Sequence, residues 1–261
     1  ISPLDEGVIF HRILFAFLSR CQNESRLPLK GAPKEEKILF NEADQVLDKA
    51  GSKYLVGRQP LWTVKRKTIL RMLQRWLVAE QERTSEFVPE HFEWAFGPDR
   101  SAPPLTVPLL AGGQLYFQGR VDQIDVSLKQ CLVIDYKVSA DRNKYSRLLK
   151  EEALGRTSFQ APVYQAAAAA ALKKPAQAAY YLLRDLKRLK SSLLTGNDFF
   201  TFDVAERQQM RQAGRANFFN QVEETWTRLI GGDFSPSPGT GECDYCPFRL
   251  VCRGALAGEE S

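Results

Sequence analysis

Residues 114–138, QLYFQGRVDQIDVSLKQCLVIDYKV, leave the chain little freedom of local structure. Two runs rich in branched and aromatic residues flank a short polar turn at residues 127–130, the pattern of an antiparallel hairpin. The second run opens as a continuous apolar stretch, Cys131 to Ile134, suited to a core, and ends in Asp135 and Lys137. Side chains of a strand alternate between its faces, so Asp135 and Lys137 share one face. Asp122 of the first strand can lie near them if the turn registers the strands around residues 127–130.

Two carboxylates converging at a strand end form a site for a hard divalent cation, which needs oxygen ligands and keeps positions open for water and phosphate oxygens. A lysine beside them can orient or deprotonate an attacking water and offset phosphate charge. The constellation suits phosphodiester hydrolysis. An Asp-x-Lys alone would equally be a surface ion pair, worth about 0–1 kcal/mol. Its neighbours set this one apart: GRVD places Asp122 thirteen residues earlier, and FQAPVYQ follows.

Around the hairpin, residues 4–20 carry apolar side chains at helical spacing behind Asp5 and Glu6, which places His11 one turn after Gly7. EEKILFNEADQVLDKA and PLWTVKRKTILRMLQRWLVAEQERT continue as helices, the second opened by Pro60. EFVPEHFEWAF and LTVPLL read as Pro-broken strands, SFQAPVYQAAAAAALKK as a helix, QAAYYLLRDL as a strand and DFFTFDV as a short one. Residues 205–232 read as one long helix. The expected architecture is α/β, a small mixed central sheet flanked by helices. It divides into a helical part over 1–85, a core over 86–232 and a Cys-rich tail over 233–261, all within one domain.

The net charge of +5 permits a polyanionic partner without demanding one. Basic residues gather in VKRKTILRMLQRW and in YYLLRDLKRLKSS, and taken singly each reads as an amphipathic segment with a solvated face, while SADRNKYSRLLKEEALGR is a polar basic segment. No run of about 18 apolar residues spans a bilayer, and the start lacks a signal-peptide pattern, so a cytoplasmic location is expected. The first residue is Ile1 rather than Met, as expected of a piece of a longer protein.

Four motifs in one order resemble the P-D-(D/E)-X-K nuclease superfamily, in its RecB-like branch. They are G-x-x-x-H at Gly7 and His11, G-x-x-D at Gly119 and Asp122, acid-x-Lys at Asp135 and Lys137, and Q-x-x-x-Y at Gln160 and Tyr164. The phrase SPLDEGVIFHRIL is most similar to the C-terminal nuclease domain of AddB-type helicase-nuclease subunits, which process broken DNA ends. The resemblance implies a restriction-endonuclease-like core in which Asp122, Asp135, His11 and the Tyr136 carbonyl ligate Mg2+ or Mn2+. Lys137 would position or activate the water, and Gln160 and Tyr164 would contact the DNA strand or steady the site. Glu93, in PEHFEWAF, has two candidate places, beside the site or in solvent, and solvent is the one expected.

Cys243, Cys246 and Cys252 form C-x2-C-x5-C, a spacing for a metal, and zinc and an iron–sulfur cluster are not separable on spacing alone. The resemblance implies a four-iron four-sulfur cluster whose fourth cysteine precedes the G-x-x-x-H helix. Nothing before Gly7 supplies it, so that ligand is expected upstream of this sequence, ahead of Cys21 as a substitute. Cys131, inside a strand, is expected in the core.

The function expected is a metal-dependent DNA exonuclease domain acting on single-stranded or frayed DNA beside a helicase motor, with residues 65–75 and 142–156 lining the strand's path. The alternatives are a stand-alone CRISPR-associated exonuclease and a DNA-binding module of nuclease fold that does not cut.

Overall fold

The structure is a computed structural model and describes residues 1–31, 33–150, 153–154, 158–191, 198–235, 248 and 251–252. Its first helix, α1 (Pro3–Asn23), opens on Ser2, whose hydroxyl accepts from the Asp5 N–H at 3.1 Å. Ile9, Phe10, Ile13, Leu14, Phe17, Leu18 and Cys21 recur at three- and four-residue steps and are all buried. Helices α2 (Pro33–Lys53) and α3 (Gln59–Gln81) pack beside it, so the expected helical first part is found.

Strand β1 (Val88–Phe96) then leads to a separate hairpin of β2 (Leu105–Pro108) and β3 (Gln114–Phe117). The expected central hairpin follows as β4 (Gly119–Val126) and β5 (Cys131–Lys137). Helices α4 (Arg142–Arg147) and α5 (Gln160–Leu172) carry the chain across to β6 (Ala176–Leu182), which lies parallel to β5. Strand β7 (Lys187–Lys190) turns back antiparallel, completing a mixed five-stranded sheet in the order β1-β4-β5-β6-β7. The period of two in β5 and β6 divides the interior. Leu132, Ile134, Tyr136, Ala179 and Tyr181 face α1–α3, while Cys131, Val133, Ala178 and Tyr180 face α5. The alanines of α5 keep that helix close to the sheet, with Ala166 and Ala168 fully buried.

Two expected elements differ. Residues 198–200 form a 3-10 turn in place of a strand, because adjacent Phe199 and Phe200 are buried in one cluster with Phe218, where an extended strand would send them to opposite faces. The expected single helix over 205–232 is two, α6 (Val204–Gln212) and α7 (Phe218–Ile230). Gly214, at φ +64°, ends the first in the left-handed conformation, and Asn217 caps the second by accepting from the Asn220 N–H at 3.0 Å. Among the described residues no helix is long and apolar enough to cross a membrane.

Arg188 belongs to a segment that reads as solvated in the sequence, yet its side chain is buried. Its guanidinium donates to Glu80 of α3 at 2.7 Å and to Asp125 of β4 at 3.1 Å, over the Tyr181 ring. Tyr181 donates to the same Glu80 at 2.7 Å, and the Gln123 amide and Tyr136 hydroxyl extend the network along the sheet. Removing a buried cation strands its carboxylates, so Arg188→Ala should lower stability by about 3–5 kcal/mol. Urea denaturation measures it; a loss under about 1 kcal/mol would show that the network does not hold α3 to the sheet.

Candidate active site

The β4–β5 ladder runs from Val126 opposite Cys131 to Gln123 opposite Ile134 and stops there. One step further in the same register, Asp122 stands across from Asp135. Asp122 Oδ2 accepts the Tyr136 N–H at 2.8 Å, so a side chain satisfies a backbone group that the ladder no longer serves. Asp122 Oδ1 lies 3.0 Å from His11 Nδ1, and His11 Nε2 donates to the Tyr136 carbonyl at 2.9 Å. His11 therefore ties α1 to both strands. Burial alone would depress its pKa, but the Asp122 hydrogen bond and charge, the Tyr136 carbonyl and the Asp135 charge together raise it.

Asp135 is 5% exposed, with Lys137 Nζ at 2.6 Å from Oδ2 and the Gln160 amide donating to Oδ1 at 2.8 Å. Lys137 donates to Gln160 Oε1 at 3.2 Å, which closes a three-residue ring. Burial chiefly, against the opposing pull of Lys137, pushes the Asp135 carboxyl up to about 6, and the Asp122 charge adds to it. The Lys137 ammonium lies directly against Oδ2, so the Asp135 carboxylate is engaged on both oxygens, by Lys137 and by Gln160. Burial lowers the Lys137 ammonium's pKa, but the close Asp135 carboxylate outweighs it and raises the net value.

Gln160 and Tyr164 stand one turn apart on α5, the amide 3.5 Å from the hydroxyl. The Tyr164 ring meets Phe96 edge-on across Gly119. A Cβ at Gly119 would fall 2.8 Å from Tyr164 and 2.9 Å from Phe96. Gly7, by contrast, has nothing within 4 Å of a Cβ position and lines a cleft of about 860 Å³ with His11, Phe15, Arg120, Asp122 and Tyr145.

Glu93 faces this cleft as well, which corrects its expected place in solvent. A register shift between Pro89 and His91 moves β1 along β4, so that Phe92 pairs with Gln123 and Trp94 with Val121. Glu93, between them, is thereby level with Asp122. Without the shift Phe92 would hold that place. Ligand atoms of His11, Glu93 and Asp122 all lie within 4.8 Å of one another. Burial and the Asp122 charge raise the Glu93 pKa, against the pull of Arg120. This set of one imidazole and two carboxylates fits a hard divalent cation, and Asp135 stands beside it, engaged by Lys137 and Gln160.

Cys243 and Cys246 lie outside the described residues, and Cys252 is half-buried. Cys21 and Cys131 are core thiols, pushed up to about 12 and about 11 by burial.

The sequence profile described as the PD-(D/E)XK nuclease superfamily matches residues 1–253. The chain belongs to this superfamily. Among curated relatives it is 28% identical over 150 residues to an ATP-dependent helicase/deoxyribonuclease subunit of Thermoanaerobacter sp. (strain X514), covering 52% of this chain and 12% of the relative. It is 30% identical over 140 residues to the protein of that name from Anoxybacillus flavithermus, covering 51% and 12%. With that of Clostridium botulinum it shares 28% over 158 residues, covering 56% and 13%. The match thus spans about an eighth of these relatives' length.

The two motif glycines should respond oppositely to substitution. Gly119→Ala must push aside two ring edges and should lose about 1–3 kcal/mol in urea denaturation. Gly7→Ala meets no atom and should gain about 0.5–1 kcal/mol from helix propensity. A Gly119→Ala protein as stable as wild type would contradict this packing.

Proposed function

We propose that this chain is a divalent-metal-dependent deoxyribonuclease domain that hydrolyses phosphodiester bonds in single-stranded or unwound DNA, working from an end beside a helicase motor. The observation that carries the reading is the row of Glu93, Asp122 and Asp135 on adjacent strands, with His11, Glu93, Asp122 and Lys137 lining one cleft and Asp135 buried against Lys137. Membership of a nuclease superfamily and relatives named helicase/deoxyribonuclease subunits support it.

Asp122, Asp135, His11 and the Tyr136 carbonyl would hold Mg2+ or Mn2+, with Glu93 within reach to join them. A cation bound there supplies Lewis-acid stabilisation of phosphate charge and a more acidic water. Lys137, fixed by Asp135 and Gln160, positions the attacking water and offsets phosphate charge. Gln160 holds Asp135 and Lys137 together, and Tyr164 steadies Gln160. Along α3, Lys67, Arg71 and Arg75 are exposed at one-turn intervals, and Lys144 and Arg147 of α4 lie beside Tyr145 at the cleft, so both basic segments can carry phosphates.

The test is degradation of end-labelled single-stranded DNA with Mg2+ or Mn2+. Asp135→Ala should abolish cutting, Lys137→Ala should lower kcat about 10²–10⁴-fold, and excess chelator should stop the wild type. Equal activity of wild type and Asp135→Ala, or activity that survives chelation, would overturn the assignment.

A further inference from the structure

Arg12 follows His11 on α1 and lines two hollows at once. One is the catalytic cleft; the other is a separate pocket of about 230 Å³ between α1 and α2. The second has an apolar floor of Ile9, Val46 and Ala50, and Tyr54 closes one side. Its rim is Arg12, Lys49 and Lys53, all exposed. Lys49 and Lys53 are one turn apart on α2, the spacing at which like charges repel.

Carboxylates that could neutralise this rim are engaged elsewhere. Glu42 pairs with Arg20 at 2.8 Å, and Asp44 and Asp48 pair with Arg66 at 3.0 and 2.5 Å. Among the described residues none of Arg12, Lys49 and Lys53 has a carboxylate partner; Lys53 only overhangs the Tyr54 ring at 5.7 Å. Three cations thus converge on a small hollow at a cost in mutual repulsion that an anion would relieve.

We propose that this pocket is a second phosphate-binding subsite, which takes a backbone phosphate of the nucleic-acid strand after the strand leaves the catalytic cleft past Arg12. The inference rests on the reading of the cleft as a nuclease site. A strand is the occupant that the geometry favours, because Arg12 makes the pocket continuous with a cleft whose carboxylates and lysine suit phosphodiester chemistry. Tyr54 and the apolar floor offer a sugar or base a surface beside the phosphate. The subsite would lengthen the footprint on one side of the scissile bond, so a strand too short to reach Arg12 would lose its contribution.

The test is fluorescence anisotropy of a labelled single strand about twenty nucleotides long, in chelator so that nothing is cut. K49E/K53E and the neutral K49Q/K53Q are compared with wild type across a salt series. K49Q/K53Q should melt at or above the wild-type temperature, since a like-charge pair is removed. Both variants should bind at least about tenfold more weakly, and the salt slope should fall by about 0.7 for each phosphate no longer held. The preference of wild type for the long strand over a tetranucleotide should shrink in both. Wild-type affinity and salt slope in the variants would overturn the subsite. So would a pyrophosphate-induced thermal shift that disappears in the variants while strand binding is kept, or displacement of the strand by polyglutamate as potent as by unlabelled DNA. The two readings fail separately: pocket variants that bind like a wild type that cuts sink the subsite alone, whereas weakened variants of a wild type that does not cut sink the nuclease reading alone.

Discussion

Everything at the cleft depends on one level of the central sheet. Glu93, Asp122 and Asp135 occupy it on three neighbouring strands, and two registers place them there: the β4–β5 turn for Asp122 and Asp135, and the β1 register shift for Glu93. A one-residue slip would send every side chain of a strand to the other face. Burial chiefly, with the Asp122 charge adding to it, raises the pKa values of Asp135 and Glu93. The arrangement is tolerated because His11 bonds Asp122, Lys137 faces Asp135 and the Asp122 carboxylate takes a backbone N–H.

Both layers of helices act on this level. From one face α1 supplies His11 to the Tyr136 carbonyl, and from the other α5 supplies Gln160 to Asp135. Behind the row, Arg188, Glu80 and Asp125 lock β7, α3 and β4 on the α1–α3 side. Asp122 and Asp125 belong to one strand but to opposite faces, and parity alone decides that the first reaches the cleft and the second an arginine. A site with its side chains fixed by packing and secondary hydrogen bonds is held before any ligand arrives. Gly119 and Gly7 show the two uses of a missing side chain: one lets Tyr164 and Phe96 close on each other, the other leaves the cleft open.

Much of this was legible in the chain because local patterns carried it. The alternation in GRVDQIDV and CLVIDYK, with a polar turn between them, was enough to place Asp122 near Asp135 and Lys137. The helical spacing around His11 was equally plain. Glu93 was not legible, since its place depends on a register shift two residues upstream, and register is a property of the paired strands rather than of one. Arg188 was missed for a related reason: its two carboxylate partners come from α3 and β4, far away in sequence. The split of the final helix turned on two residues, left-handed Gly214 and the capping Asn217, inside a window that otherwise favours helix. The basic pocket beside Arg12 arises only when α1 and α2 pack, so neither helix announces it alone.

The row of acids and His11 are proposed to hold one divalent cation together, and anomalous diffraction from crystals soaked in Mn2+ would locate it. The expected result is a single strong peak bounded by His11, Asp122, Asp135 and the Tyr136 carbonyl, absent from crystals of Asp122→Asn. A peak elsewhere in the molecule, or one that persists in Asp122→Asn, would contradict it.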